Sequence, residues 1–204
     1  MYSLADGAFL IKLGRTAILK YLTEEISISP PDDTPDKLME KAGVFITLEN
    51  YPKKDLRGCI GYPEPTFPLA FAAIKAAISA AVDDPRFPPI SQAEFEKIIV
   101  EITLLTPPEL INASSPKEYL DHIKIGRDGL IVHLGLRRGL LLPQVPIQQG
   151  WNKEEYLSYT CIKAGLKGDC WMDSSAKLYK FSGLVFAEAE PDGKVKERIL
   201  TSSP

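Results

Sequence analysis

The stretch Leu69–Val82 constrains this chain more than any other. It contains only two polar side chains, Lys75 and Ser79, which lie four residues apart on one stripe of a helix. A helix that is apolar around nearly its whole circumference must be covered on nearly all sides. It therefore belongs at the centre of a fold with other layers packed on it. No stretch approaches the roughly 20 apolar residues that a membrane span requires, so this is a core helix and no membrane association is expected. With 204 residues, 45% of them hydrophobic, the chain is long enough for one sizeable core, or a core with a small appended lobe.

The elements around this helix follow from local signals. Ser3-Leu4-Ala5-Asp6 is a capping box for a first helix running to about Leu22. Val44–Glu49 alternates and is β-rich, Tyr51–Asp55 is a turn, and Leu56–Gly61 returns as a second strand. Asp83-Asp84-Pro85 ends the buried helix, because the residue before a proline disfavours helical geometry. Ser91-Gln92-Ala93-Glu94 reads as a second capping box, before a short helix, and Lys97–Leu105 as a strand. A short helix from Ser115, a hairpin of Gly129–Leu136 with Gly139–Leu142, and a helix from Asn152 stopped at Gly165 follow. A last hairpin pairs Tyr179–Glu188 with Val195–Leu200 around Pro191-Asp192-Gly193-Lys194. Ser27–Pro35 and the tail Thr201–Pro204 are expected to lack regular structure. Helices and hairpins mixed in this order predict an α+β fold with a largely antiparallel sheet and flanking helices.

Charge and cysteine usage narrow the function classes. The net charge is -3, with no basic field to hold a phosphate backbone, so nucleic acid is not an expected partner. The N-terminus lacks the charged, apolar, small-residue order of a signal peptide, and the expected location is cytoplasmic. Three cysteines, Cys59, Cys161 and Cys170, are an odd count at irregular spacing and read as reduced thiols. The two histidines, His122 and His133, fall on different elements, and no short Cys or His pairing occurs, so no metal is expected. No phosphate-cradling glycine motif or serine elbow is present, and no cofactor is called for.

The first hairpin carries the chemistry. If its turn closes symmetrically, Glu49 faces Arg57 and Thr47 faces Cys59, with all four side chains on one sheet face. Leu56 and Ile60 then join Val44, Ile46 and Leu48 on the core face. A guanidinium two residues from a thiol, about 6.6 Å away along the strand, favours the thiolate and lowers the cysteine below its ordinary pKa of about 8.5. Cys59 and Arg57 are thus the candidate catalytic pair, with Thr47 and Glu49 as candidate ligand contacts. The alternative is a buried cysteine acting as a small hydrophobe beside a cross-strand ion pair. Gly58 and Gly61 mark a bulge or the close approach of another group.

Four further residues bear on a site. Arg86 follows the buried helix on a proline-flanked loop, where it could clamp an anion or pair with Asp83 or Asp84. Gln144, in a proline-flanked loop at a strand end, could hydrogen-bond a ligand. Glu101, on the polar face of its strand, could partner Arg57. Trp151 reads as a core anchor before a recognition surface.

Leu56-Arg57-Gly58-Cys59-Ile60-Gly61 resembles the six-residue signature of the AMMECR-one domain family. The segments Gly43–Leu48, Asp84-Pro85-Arg86-Phe87-Pro88-Pro89, Gly139–Val145, Gly150-Trp151 and Lys163–Leu166 match in order and spacing, so the resemblance covers about residues 3–190. It implies one α+β domain spanning residues 1–204, built as a larger lobe with a smaller one and a cleft rich in the shared residues. It implies no particular reaction. Memo-like and radical-SAM-type proteins are pathway partners by the same resemblance. The family pattern often carries a glutamate where this chain has Gln148, so a base at that position is absent here. Two readings remain. One is a non-catalytic module whose cleft beside Cys59 and Arg57 holds a small molecule or protein partner. The other is an enzyme using Cys59 as nucleophile or redox thiol on a small anionic or carbonyl substrate.

Overall fold

A computed structural model describes residues 2–198. Helix α1 spans Leu4–Glu24 and begins at the expected capping box: the Ser3 hydroxyl accepts from the Asp6 N–H, and the Asp6 carboxylate accepts from the Ser3 N–H. Strands β1 (Gly43–Asn50) and β2 (Asp55–Tyr62) form the first hairpin. Helix α2 runs Leu69–Val82, the bounds read from sequence, and one-turn helix α3 covers Gln92–Phe95. Strands β3 (Ile98–Leu105) and β4 (Glu109–Leu110), helix α4 (Tyr119–His122) and the hairpin β5 (Asp128–Leu134) with β6 (Arg137–Leu141) come next. Helices α5 (Gln144–Gln149) and α6 (Lys153–Lys163) precede the long β7 (Lys177–Glu188) and β8 (Val195–Arg198). The remainder of the expected last strand and the tail Thr201–Pro204 lie outside the described residues.

The described strand pairs are antiparallel and helices flank them, so the fold is α+β. Two compact units divide it: residues 2–105 with 184–198, and residues 106–183. In the larger unit, β1 pairs with β2 on one side and β3 on the other, and the second half of β7 pairs with β8. Val44, Ile46, Leu48, Val100, Ile102 and Leu104 are fully buried on one sheet face, under α1 and α2. The alanines of α2 let neighbouring backbones approach closely. Ala72, Ala73, Ala76, Ala77 and Ala80 are all fully buried, as an all-round apolar helix requires. No helix among the described residues is long and apolar enough to cross a membrane.

The smaller unit has its own core, in which Tyr156, Leu157 and Cys161 of α6 meet Leu130, Val132 and Leu178. Asn152 and Glu155 form the capping box of α6, and Gly165, at φ +70°, ends it in the left-handed region. That stop turns the chain back so that Cys161 and Cys170 are disulfide-bonded, with Cα atoms 5.9 Å apart. The expectation of reduced thiols is corrected at these two positions. The odd count arose because only Cys59 is free.

Two glycine contacts set how closely helices approach strands. A Cβ on Gly58 would lie 2.1 Å from the Ala80 carbonyl oxygen, and one on Gly139 would lie 2.5 Å from the Thr160 carbonyl oxygen. Both obstacles are backbone, which cannot swing aside. Gly58→Ala is expected to destabilise the chain by about 3 kcal/mol, seen as an earlier urea midpoint; an unchanged midpoint would contradict this packing. Reducing the disulfide, which closes a short loop, is expected to cost about 2.5 kcal/mol. Urea titration with and without reductant, on wild type and Cys161→Ala, measures it.

Candidate functional site around Cys59

The register of the first hairpin decides which side chains meet. Thr47 lies opposite Cys59 as expected, but a bulge between Leu48 and Glu49 changes the rest: Leu48 faces Gly58, Glu49 faces Leu56, and Arg57 is the extra residue. The expected Glu49–Arg57 pair is therefore corrected. The bulge also turns Leu56 off the core face, where it is 42% exposed, and buries Arg57 to 8% exposure. Period-two reasoning assumes unbroken pairing, and one inserted residue reverses every side chain beyond it.

Arg57 is a structural pin. Its Nε donates to Glu94 Oε1 at 2.5 Å, its Nη2 donates to Glu94 Oε2 at 3.2 Å and to the Pro88 carbonyl at 2.9 Å, and its guanidinium lies over the Phe87 ring. The Glu94 carboxylate thus serves Arg57 instead of returning to the Ser91 N–H, although the Ser91 hydroxyl still caps α3. A bidentate charged partner outcompetes a neutral amide for one carboxylate. Arg57 does not figure among the groups acting on the Cys59 thiol.

Cys59 is held by its backbone. The Cys59 N–H donates to Asp84 Oδ2 at 2.8 Å, and its carbonyl accepts from Arg86 Nη2 at 3.2 Å. Both backbone groups point away from β1, so Cys59 and Thr47 form the non-hydrogen-bonded kind of antiparallel pair, in which side chains stand closest. Thr47 Oγ1 donates to Cys59 Sγ at 3.4 Å. Asp84 in turn accepts from Arg86 Nε at 2.9 Å, Nη2 at 2.7 Å and the Arg86 N–H at 3.1 Å. These donors, the Arg86 guanidinium foremost, hold the Asp84 carboxyl well below the usual carboxylate range. Arg86 is therefore ion-paired, while its side chain stays 52% exposed.

The thiol is half-buried, and burial pushes its pKa up; the Thr47 hydrogen bond and Arg86 oppose this, while Glu101 and Asp84 reinforce it. The expected depressed thiol is corrected, because the charge meant to depress it belongs to Glu94.

The row continues across the sheet. Thr47 faces Glu101 of β3 on its other side, so Cys59, Thr47 and Glu101 line up across three strands. Burial raises the Glu101 carboxyl to about 7, opposed by Arg198 and reinforced by Glu49. Arg198 of β8 donates to both Glu49 oxygens, at 3.1 and 3.2 Å, and pairs with Glu101. It replaces Arg57 as the expected partner of Glu101 and of Glu49. Arg198 carried no signal in the sequence, because a cation in a short C-terminal strand has nothing local to mark its partners. In a flat sheet, with strands about 4.8 Å apart, it could not reach β1 across β7 and β3, so the sheet curls over this face.

The remaining candidates lie in the smaller unit. Gln144 is the first residue of α5, which forms where a loop was expected, and its Oε1 is enclosed without a hydrogen-bond partner. Trp151 stacks on Tyr159, with centroids 4.0 Å apart, and packs against that unit's core. Gln148 is exposed on α5. Among the described residues, no group of three or more His, Cys, Asp or Glu side chains could hold a metal ion.

Comparison with known proteins puts the signature strand in context. The AMMECR1 family model matches residues 11–186. The chain belongs to the AMMECR1 family. A protein of Thermococcus onnurineus is 52% identical over 205 residues, covering 98% of this chain and all of that one. Protein MJ0810 of Methanocaldococcus jannaschii is 50% identical over 200 residues, 98% of each chain. The crystal structure of uncharacterized protein PH0010 from Pyrococcus horikoshii superposes with a TM-score of 0.85 at 53% identity, over 95% of this chain and 97% of that one. The AMMECR1 signature in this chain is thus largely architectural: Arg57 pins a loop, Gly58 admits α2, and a Cβ on Gly61 would lie 2.4 Å from the Phe45 ring.

Asp84→Asn tests the clamp. The depressed carboxyl contributes stability that is present above its ordinary titration near pH 4 and is lost as pH falls below that. Asp84→Asn is expected to cost about 2 kcal/mol near neutral pH, discounted for the half-exposed Arg86. The gap between the two proteins should narrow as urea titrations move below about pH 4. A constant gap would mean that charge plays no part.

Proposed function

We propose that the larger unit binds a small polar ligand on the face where half-buried Cys59 and Thr47 lie beside the largely buried Glu101, with Arg86 at the strand edge and Glu49 and Arg198 on the far side. What supports this reading is how residue 59 is held: its N–H and carbonyl are fixed by Asp84 and Arg86, while its thiol is left outside the core with a hydroxyl beside it. A rigid backbone under a half-exposed polar group is how a contact residue is preorganised. Arg86 and Arg198 already have carboxylate partners, so recognition falls to uncharged donors and acceptors. A Glu101 carboxyl titrating at about 7 is a donor on the acid side of neutrality. The ligand class that fits a thiol, a hydroxyl and a carboxylic acid is a carbonyl or amide.

Titration of the isotope-labelled protein with small amides and ketones tests this. Chemical-shift changes at Thr47, Cys59 and Glu101 are expected. Affinity should fall as pH rises through about 7, because a carboxylate cannot donate to a carbonyl. Glu101→Gln, which keeps a donor, should abolish that pH dependence. Shifts confined to other residues would overturn the proposal.

Glu101 also carries a second reading, in which the same face is catalytic. There the Cys59 thiol passes its proton through the Thr47 hydroxyl to the ionised Glu101 carboxylate, the sulfur bonds to a carbonyl carbon, and the C=O π pair moves onto the carbonyl oxygen. Iodoacetamide labelling separates the two. A thiol raised by burial labels slowly at neutral pH and speeds up only above the ordinary cysteine range; a rate step near Glu101's own titration, lost in Glu101→Gln, would favour catalysis.

A further inference from the structure

The smaller unit holds a cavity of about 270 Å³ that no part of the Cys59 site uses, lined by Thr106, Glu109, Arg127, Asp128, Lys180 and Ser182 among others. Its charges are unevenly satisfied. Asp128, 2% exposed, accepts from the Lys124 N–H at 2.8 Å and from Arg127 Nε and Nη2 at 2.6 and 2.7 Å, so its carboxylate is neutralised and its oxygens are occupied. Lys180 is half-buried on β7, and its ammonium has no hydrogen-bond or ion-pair partner among the described residues. Period-two alternation puts Lys180 and Ser182 on the face of the fully buried Leu178, and the register sets Asp128 beside Ser182 and Glu109 beside Lys180. Glu109 is exposed and outside ion-pair distance of that ammonium. An ammonium without a partner among the described residues, lining one cavity with a hydroxyl and a guanidinium, is a donor set without its acceptor.

We propose that this cavity binds a small oxyanion, the carboxylate or phosphate group of a small molecule. Lys180 is its charge partner, and Ser182 Oγ and the free Nη1 of Arg127 are additional donors. Glu109 forms an acidic rim that opposes the anion. The site is independent of the proposed carbonyl- or amide-binding face.

The full chain titrated separately with sodium phosphate and sodium acetate, at constant ionic strength and followed by amide chemical shifts, tests the proposal. Saturable shifts at Arg127, Lys180 and Ser182 are expected. Tighter binding of phosphate names a phosphate ester as the source, and tighter binding of acetate names a carboxylate. Lys180→Gln should weaken binding about tenfold or more. Ser182→Ala should weaken it less, and Glu109→Gln should tighten it. Cys59→Ser should leave it unchanged, so the outcome stands apart from that of the other site. Shifts that do not saturate up to about 50 mM, or that persist equally in Lys180→Gln and Ser182→Ala, would overturn it.

Discussion

The closure of the α2 C-terminus on β2 governs the rest of the larger unit. The Ala80 carbonyl occupies the space a side chain on residue 58 would need, so α2 and the signature strand meet backbone to backbone. Two residues beyond the end of α2, Asp84 then falls level with the outer edge of β2, where its carboxylate meets the Cys59 N–H. Edge strands present unpaired amides and carbonyls, and natural folds cover them. Here the cover is one aspartate–arginine pair that satisfies both groups of one residue. The buried helix, the loop after it and the orientation of the thiol are therefore one mechanical unit.

The same geometry explains the fate of the arginines. Residue 57 is the bulged position of β2, and a bulge re-aims its side chain. Arg57 is thereby buried, and a buried guanidinium needs a partner. Glu94 supplies it from α3, with the Pro88 carbonyl and the Phe87 ring completing the enclosure. Arg57 and Arg86 thus fasten α3 and the loop before it to β2, one through Glu94 and Pro88, the other through Asp84 and the Cys59 carbonyl.

What was legible in the sequence follows the range of each interaction. The bounds of α2, the capping box of α1, the start of α6 at Asn152, the Gly165 stop and the Thr47–Cys59 pairing all depend on contacts within a helix turn or across one hairpin. The bulge was hidden because alternation carries no mark of an inserted residue. The partners of Arg57, Glu49 and Glu101 were hidden because they come from α3 and β8, distant in the chain, and charge sign alone does not choose among many carboxylates. Cys161 and Cys170 were misread because an odd count said nothing about which cysteine stands alone. Strand β4, two residues long, is below the length at which a period can be seen.

Pairing of charges on the sheet face limits what the proposed site there could select. Asp84 with Arg86, and Glu49 with Arg198, leave little net field to draw in a charged ligand from a distance while Glu101 is protonated. Selection there must come from short-range hydrogen bonding, which rewards a fixed geometry and penalises a mismatched partner by the desolvation of whatever is left unpaired. That is the regime in which clamping one residue's backbone from both sides has the largest effect, since a small displacement of Sγ or Oγ1 loses the bond outright. The anion site proposed at Lys180 would work by the opposite logic. There an unpaired ammonium supplies attraction, and geometry has only to keep competing carboxylates occupied, as Arg127 does for Asp128.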